Sequence, residues 1–338
     1  MQNAEHKQTR HTEIRLLLYW VGLIALLLLL TTATYTWFAL SRTPRVSDMY
    51  LTVSAPKGLE IALSYDAPDE DWGQLLLFDD MVEQMATLRP CTWSEQNGCF
   101  YAVVYGMDGR MTDQWTELTD EDNANVEGEA GYYNKASFYA RSDAIVSVSL
   151  AEARVSEDGT ESFGTYLIGT PIWDEAELIH NDGGEGAEYA VRIGLRITPV
   201  DENGEPTGDP IFYIYEPNCN GHADGTEEYT VTPNKDDGEP LVPEERLITQ
   251  SVSTWTEVFP VQRTATLKDL GEFTSDNTGL FTLEAGGMVR IELYIWLEGQ
   301  DVDCGHLLSR EAQILANIGF DGDYSGQSGL VEIPDGTP

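Results

Sequence analysis

The chain has 338 residues, and its 58 Asp or Glu against 19 Lys or Arg give a formal net charge of −39. A hydrophobic content of 41%, with 8 Trp, 16 Tyr and 10 Phe, is sufficient for a folded core and argues against disorder. Nucleic acid is an unsuitable partner for so acidic a chain, and anionic lipid surfaces are disfavoured, because phosphate groups are bound by basic surfaces.

The first element is a long apolar segment, since no charged residue lies between Arg15 and Arg42. Residues 16–40 would extend about 37 Å as a helix, which is enough to cross a bilayer. The segment predicts either a retained signal-anchor or a cleaved signal sequence. We therefore expect a cytoplasmic tail over residues 1–15 and an acidic extracellular domain over residues 41–338. The protein would be a single-pass cell-membrane protein, or a secreted one if the segment is cleaved.

After residue 45 the dominant pattern is the alternation of apolar and polar residues, which is typical of half-buried strands in antiparallel sheets. It is clearest over residues 189–198 and 289–297. Acidic connectors rich in Gly and Pro separate the apolar segments. The other predicted strands are 49–54, 59–65, 100–105, 132–141, 146–150, 211–215, 247–254 and 280–283.

Two further segments fit a helix. Residues 75–86 are ambiguous, whereas residues 307–318 place Leu308, Ala312 and Leu315 on one helical face. The pattern as a whole predicts one large all-β domain. The alternative is a pair of smaller sandwiches divided near residues 170–185.

The four cysteines, Cys91, Cys99, Cys219 and Cys304, lie after the apolar segment. An even number in an exported domain indicates disulfides, and three pairings are possible. Because Cys91 and Cys99 flank an Asn-Gly turn, we expect Cys91–Cys99, which leaves Cys219–Cys304. The alternative is four free buried thiols.

A calcium loop is one candidate cofactor site in the sequence. Asp321, Asp323, Ser325 and Glu332 occupy positions 1, 3, 5 and 12 of a twelve-residue calcium loop, with Gly at position 6. The helix predicted over residues 307–318 would enter it. Ser328 stands at position 8, which is usually apolar, and an exposed Gly-rich tail is the alternative interpretation.

Motifs of catalysis are absent from the sequence. It contains no G-x-S-x-G, Walker A, G-x-G-x-x-G or HExxH pattern, which predicts a protein without enzymatic activity. Glu298, Asp301 and Asp303 cluster at the end of a predicted strand. They form either a cation or sugar site or a solvated loop.

Several segments resemble one family when they are taken in chain order. They are residues 33–38 (ATYTWF), 133–141 (YNKASFYAR), 190–197 (AVRIGLRI) and 290–304 (RIELYIWLEGQDVDC). Together they resemble the TasA/camelysin-like secreted proteins of Gram-positive bacteria. The resemblance implies a large antiparallel jelly-roll-like β-sandwich, export, and assembly into surface or matrix fibres. In such fibres an N-terminal strand of one subunit completes the sheet of the next.

We therefore expect a non-enzymatic cell-surface protein with a structural, matrix or fibre-forming role. Its partners would be the membrane, through the N-terminal helix, and itself or other surface proteins. The alternative is a carbohydrate- or calcium-binding adhesin, in which exposed Trp rings stack on sugars. The Trp candidates are Trp72, Trp93, Trp115 and Trp173, for each of which core packing is the competing interpretation.

Overall fold

The structure is a computed structural model. It describes residues 19–31, 46–77, 88–94, 97–106, 111–119, 131–151, 154–155, 162–169, 172–174, 177–179, 187–215, 227–231, 246–250, 279–301, 304 and 312–324. Residues 19–31 form helix α1, whose side chains are exposed. Among the described residues, no helix has the length and apolar character needed to cross a membrane. The rest of the predicted span, residues 16–18 and 32–40, lies outside them.

The described part of the chain is dominated by strands, in agreement with the all-β prediction. The first sheet contains β1 (Val46–Ser54), β3 (Leu75–Leu77), β8 (Val146–Leu150), β11 (Tyr166–Gly169), β18 (Gly279–Leu283) and β20 (Ala312–Asp323). Its order is β18-β8-β20-β1-β3, and β11 also pairs with β20. The pair β1·β20 is parallel, and the other pairs are antiparallel.

The second sheet contains β2 (Glu60–Ala62), β4 (Pro90–Ser94), β5 (Cys99–Ala102), β6 (Thr116–Leu118), β7 (Tyr133–Ser142), β14 (Val191–Val200), β15 (Ile211–Tyr215) and β19 (Gly287–Glu298). Its order is β15-β14-β19-β4-β5-β6, and β7 pairs with both β19 and β2. Only β19·β4 is parallel among its pairs. Each sheet combines strands from both sides of residues 170–185, so a division there would separate hydrogen-bonded strands.

The smaller elements lie outside these two sheets. One is a short helix α2 (Ala187–Ala190), and another is a 3-10 turn (Asp69–Asp71). The described residues also form three two-stranded sheets: β9 (Arg154–Val155) with β10 (Ser162–Phe163), β12 (Ile172–Asp174) with β13 (Glu177–Ile179), and β16 (Glu227–Val231) with β17 (Arg246–Gln250).

The two large sheets share one apolar core, an arrangement compatible with a β-sandwich. The alternation predicted for β19 is observed, because Leu293, Ile295 and Leu297 all face this core. Phe138 of β7 and Phe320 of β20 meet across it, with ring centroids 6.3 Å apart. All of the predicted strands have a counterpart in the structure, with bounds that differ by a few residues.

The helix predicted over residues 307–318 is wrong from residue 312 onward, because that part of the chain belongs to β20. Pairing with β1 and β11 buries Ile314, Ala316 and Ile318, which alternate along the strand, whereas Leu315 is exposed. The ambiguous segment at 75–86 begins with β3, and residues 78–86 lie outside the described residues. The expectation of purely antiparallel sheets is also wrong, since both large sheets are mixed.

The predicted Cys91–Cys99 disulfide is wrong, since both side chains are free thiols. Cys91 pairs with Ala102, and Cys99 pairs with Ser94, three residues after Cys91. Alternate strand residues face opposite sides, so the two thiols lie on opposite faces of the β4–β5 hairpin and cannot bridge. Cys304 is also a free thiol, so the Cys219–Cys304 bond is not formed either, and Cys219 lies outside the described residues.

A candidate aromatic ligand-binding pocket

A meander of β4, β5 and β6 packs over the face of the second sheet that points away from the core. It is hydrogen-bonded to β19 only at the end of that strand, where Pro90 and Cys91 pair with Leu297 and Glu298. From there it folds back across the sheet. This places the ring centroid of Trp93 4.6 Å from that of Phe212 on the edge strand β15. The meander therefore covers part of this face and builds a second, smaller apolar cluster.

Phe100 of β5 is the central ring of that cluster. Its centroid lies 4.4 Å from that of Tyr133, to which it is nearly parallel, and 5.2 Å from that of Trp296. Tyr294 lies 5.9 Å from Phe100 and 5.8 Å from Phe212. Such offset and edge-to-face arrangements are the favourable geometries of aromatic pairs. The rings of four different strands thus hold the meander against the sheet.

A pocket of about 340 Å³ opens between the meander and the sheet. Aromatic rings dominate its wall, and two cationic side chains stand among them. The residues that line it are Trp93, Gly98, Cys99, Phe100, Leu118, Tyr133, Lys135, Arg196, Phe212 and Tyr294.

Gly194 of β14 allows the rings to approach the floor of the pocket. A Cβ atom at this position would lie 2.7 Å from Cζ of Phe212 and 3.1 Å from Cζ3 of Trp296. Both distances are shorter than ordinary carbon contacts, so only glycine leaves space for the two rings. A glycine in a strand interior is typical of such a close approach.

The two cations share one carboxylate. Nζ of Lys135 lies 3.3 Å from Oε1 of Glu292 and 5.2 Å from the ring centroid of Tyr294. Nη1 of Arg196 lies 3.4 Å from Oε2 of Glu292. The exposed fractions of the Lys135 and Arg196 side chains are 31% and 45%, against 12% for Glu292. Both cations therefore reach solvent, and the carboxylate lies beneath them.

A buried polar cluster lies beside the aromatic rings and joins side chains of β14 and β19 to residues 300 and 301, which follow β19. Nη2 of Arg192 lies 2.6 Å from Oδ2 of Asp301, and both side chains are fully buried. Nε1 of Trp296 donates to Oε2 of Glu298 over 3.0 Å, and the backbone N–H of Gln300 donates to Oε1 over 3.1 Å. Trp296 thus belongs to both the aromatic cluster and the polar one.

Burial raises the pKa of Glu298, and the nearby Arg192 guanidinium and the Trp296 hydrogen bond oppose this shift. The predicted cluster of Glu298, Asp301 and Asp303 is not a solvated loop, because the first two are buried. Asp303 lies outside the described residues. Among those that are described, no group of three or more His, Cys, Asp or Glu side chains could hold a metal ion.

The four tryptophans predicted as possible sugar-stacking rings lie in different environments. Trp93 lines the pocket. Trp72 and Trp115 are buried, and their Nε1 atoms donate to the backbone oxygens of Ala67 and Thr112, so both are packing residues. The side chain of Trp173 lies outside the described part of the structure.

Two of the four calcium candidates lie on a strand. Asp321 and Asp323 occupy the end of β20, where they pair with Ser149 and Ser147 of β8 and are exposed. From residue 312 onward, the predicted entering helix is replaced by this strand. Ser325 and Glu332 lie outside the described residues, so the calcium loop itself stays a prediction.

Most residues of the pocket were not predicted as a site. The sequence does contain a signal, because Tyr294 and Trp296 alternate with the core residues of β19 and so occupy its polar face. Large aromatic rings on the polar face of a strand indicate a second apolar layer or a ligand.

Comparison with known proteins finds no matching family model, no similar curated protein and no similar solved structure.

Proposed function

We propose that the protein is a non-enzymatic carbohydrate-binding protein of the cell surface and that the aromatic pocket is its binding site. The observation that carries this proposal is the wall of the pocket, which five aromatic side chains line together with Lys135 and Arg196. Aromatic faces pack against the C–H faces of sugar rings, and the Lys and Arg side chains offer hydrogen-bond donors to hydroxyl groups. The pocket combines both in one place.

The size of the pocket fits a small part of a glycan. Its volume of about 340 Å³ is near the lower end of the roughly 300–1,000 Å³ that is usual for ligand sites. One or two sugar units would fill it, and the rest of a chain would extend over the rim. We propose recognition of a terminal unit or a short internal stretch.

The surface location and the jelly-roll topology belong to the proposal. Support for export comes from the apolar segment over residues 16–40 and the acidic domain that follows. Support for a jelly-roll comes from the resemblance to TasA/camelysin-like proteins and from two sheets over one core. Recovery of the native protein from the soluble cell interior, with its N-terminus intact, would contradict export.

We expect Trp93→Ala to weaken glycan binding by tenfold or more, because it removes one wall of the pocket. Trp93 packs on the smaller apolar cluster and is not part of the core between the two large sheets. Binding of full-length protein to a glycan array, followed by calorimetry with the best ligand, measures this. Tyr65→Ala is the matched control, because this exposed ring packs on Tyr139 outside the pocket. An array without any bound glycan, or equal affinities of Trp93→Ala and the parent, would rule out the proposal.

A second candidate function is self-association in a surface matrix, and a specific edge strand favours it. Among the described strands, β3 pairs only with β1, and its Leu75 and Leu77 side chains are 59% and 48% exposed. Leu63 is exposed beside them and shares a surface depression with β3. An exposed apolar edge strand is a template for pairing with another copy of the chain.

We expect Leu75→Lys to abolish any self-association of this kind, because a lysine on an edge strand opposes edge-to-edge pairing. Sedimentation velocity of the full-length protein over a concentration series measures the assembly state. Ile211→Lys is the control, since Ile211 is an exposed residue on β15, the edge strand of the other sheet. A parent protein that remains monomeric at all concentrations would exclude this second function.

A further inference from the structure

We infer that the aromatic pocket selects sugars that carry a carboxylate, of the uronic-acid type. This inference rests on the proposed carbohydrate binding and specifies its ligand class. Its basis is the position of Arg196 between an aromatic wall and a carboxylate that it does not hydrogen-bond.

The charge of the pocket wall is opposite to that of the chain. The whole sequence has 58 acidic and 19 basic residues, yet the described residues that line the pocket include Lys135 and Arg196 and no Asp or Glu. A surface of such high negative charge repels anions at long range. Because the two cations share the single Glu292 carboxylate beneath them, this group of three side chains has a net charge of +1. The pocket is therefore a local exception, and it offers an anionic ligand a favourable position.

Arg196 has the geometry to accept a ligand carboxylate. Its ion pair with Glu292 has an N–O distance of 3.4 Å, which is longer than the roughly 2.7–2.9 Å of charge-assisted hydrogen bonds. Oε2 of Glu292 is buried and has no hydrogen-bond partner. The guanidinium fork, on a side chain that is 45% exposed, can thus turn its donors towards a carboxylate in the pocket and bind it through two bonds.

The register of the sheet places the cation next to the aromatic wall. Arg196 of β14 is directly opposite Phe212 of β15, and the ring of Phe212 packs on Trp93. A sugar ring over these two aromatic faces would project an equatorial substituent along the sheet towards the guanidinium. Lys135, over the ring of Tyr294 on β19, adds a second positive charge from the opposite side. The carboxylate of a uronic acid would lie between the two.

The test uses full-length protein and an array of galacturonate, glucuronate and mannuronate oligosaccharides, each paired with its neutral methyl ester. We expect at least one acid to bind tenfold or more tightly than its ester, with a difference that decreases as salt rises. Arg196→Gln should lower the affinity for the acid by a much larger factor than the affinity for the ester, so that the acid no longer binds tenfold more tightly than its ester. Lys135→Gln should give a smaller loss in the same direction.

Arg141→Gln is the matched control, because Arg141 is a partly exposed arginine of the same sheet that pairs with Glu60 and Asp69 outside the pocket. It should leave both affinities unchanged. Equal binding of acids and esters, or binding of neutral glycans alone, would overturn the inference and leave carbohydrate binding intact. An equal loss of acid and ester binding in Arg196→Gln would also overturn it, since Arg196 would then shape the pocket only. No binding of any glycan would overturn both proposals.

Discussion

Replacement of Arg192 by methionine should lower the free energy of unfolding by about 3–5 kcal/mol, which is typical when one partner of a buried ion pair is removed. Arg192 and Asp301 are both fully buried at a distance of 2.6 Å. Without the guanidinium, the buried Asp301 carboxylate would lose the cation that lies 2.6 Å away, and the buried Glu298 would lose the positive charge that opposes its pKa rise. Urea unfolding at pH 7 measures the loss. The slope of unfolding free energy against urea concentration should be the same for the variant and the parent.

Arg196→Met is the matched control for this result, because Arg196 lies on the same strand and on the same face of the sheet. Its side chain is 45% exposed, and its ion pair with Glu292 is longer. Exposed pairs contribute about 0–1 kcal/mol, so this variant should remain within that range. Similar losses for the two variants, or a loss below about 1 kcal/mol for Arg192→Met, would show that the buried pair does not stabilise the fold.

Trp296→Ala should cost about 3–5 kcal/mol, the range observed when a large buried aromatic side chain is deleted. Trp296 is fully buried, packs on Phe100 and approaches the backbone at Gly194. Its removal would leave a cavity between the sheet and the meander and would take a donor from the Glu298 carboxylate. Thermal unfolding should show a large decrease in the melting temperature.

Trp296→Phe separates the contribution of the ring volume to stability from that of the Nε1 hydrogen bond. It keeps most of the ring volume and loses the Nε1 hydrogen bond to Glu298, so its expected cost is about 1–3 kcal/mol. If Trp296→Phe is as destabilising as Trp296→Ala, the hydrogen bond dominates and the cavity matters little. If it equals the parent, Glu298 obtains no net stabilisation from this donor.

The strands could be predicted because alternation is a local property of the sequence. Residues 191–200 and 287–298 show it clearly, and both form long central strands. The direction of pairing could not be predicted in the same way, because a strand has the same alternation in a parallel pair and in an antiparallel one. The parallel pair β1·β20 could therefore not be predicted, and the helix predicted over residues 307–318 covers only the first part of β20.

The pocket was only partly visible in the sequence because its walls meet through contacts between distant segments. Trp93 was a candidate, but Phe212 is more than a hundred residues away, and only the folded meander brings them together. The acidic residues Glu298 and Asp301 were candidates for a cation or sugar site or a solvated loop, but both are buried. Charged residues are usually exposed, and the partner that permits their burial, Arg192, is 109 residues from Asp301.

The parallel pairing of β1 with β20 also determines when the domain can fold. Thr52 lies opposite Asn317, and 265 positions separate them in sequence. The strand that follows the N-terminal apolar segment can pair with β3 early, but it must wait for almost the whole chain before β20, its neighbour on the other side, exists. Topologies dominated by such distant contacts fold slowly, and their unpaired strands are prone to aggregate meanwhile. A factor that holds the growing chain unfolded until residue 319 emerges would protect this protein during synthesis.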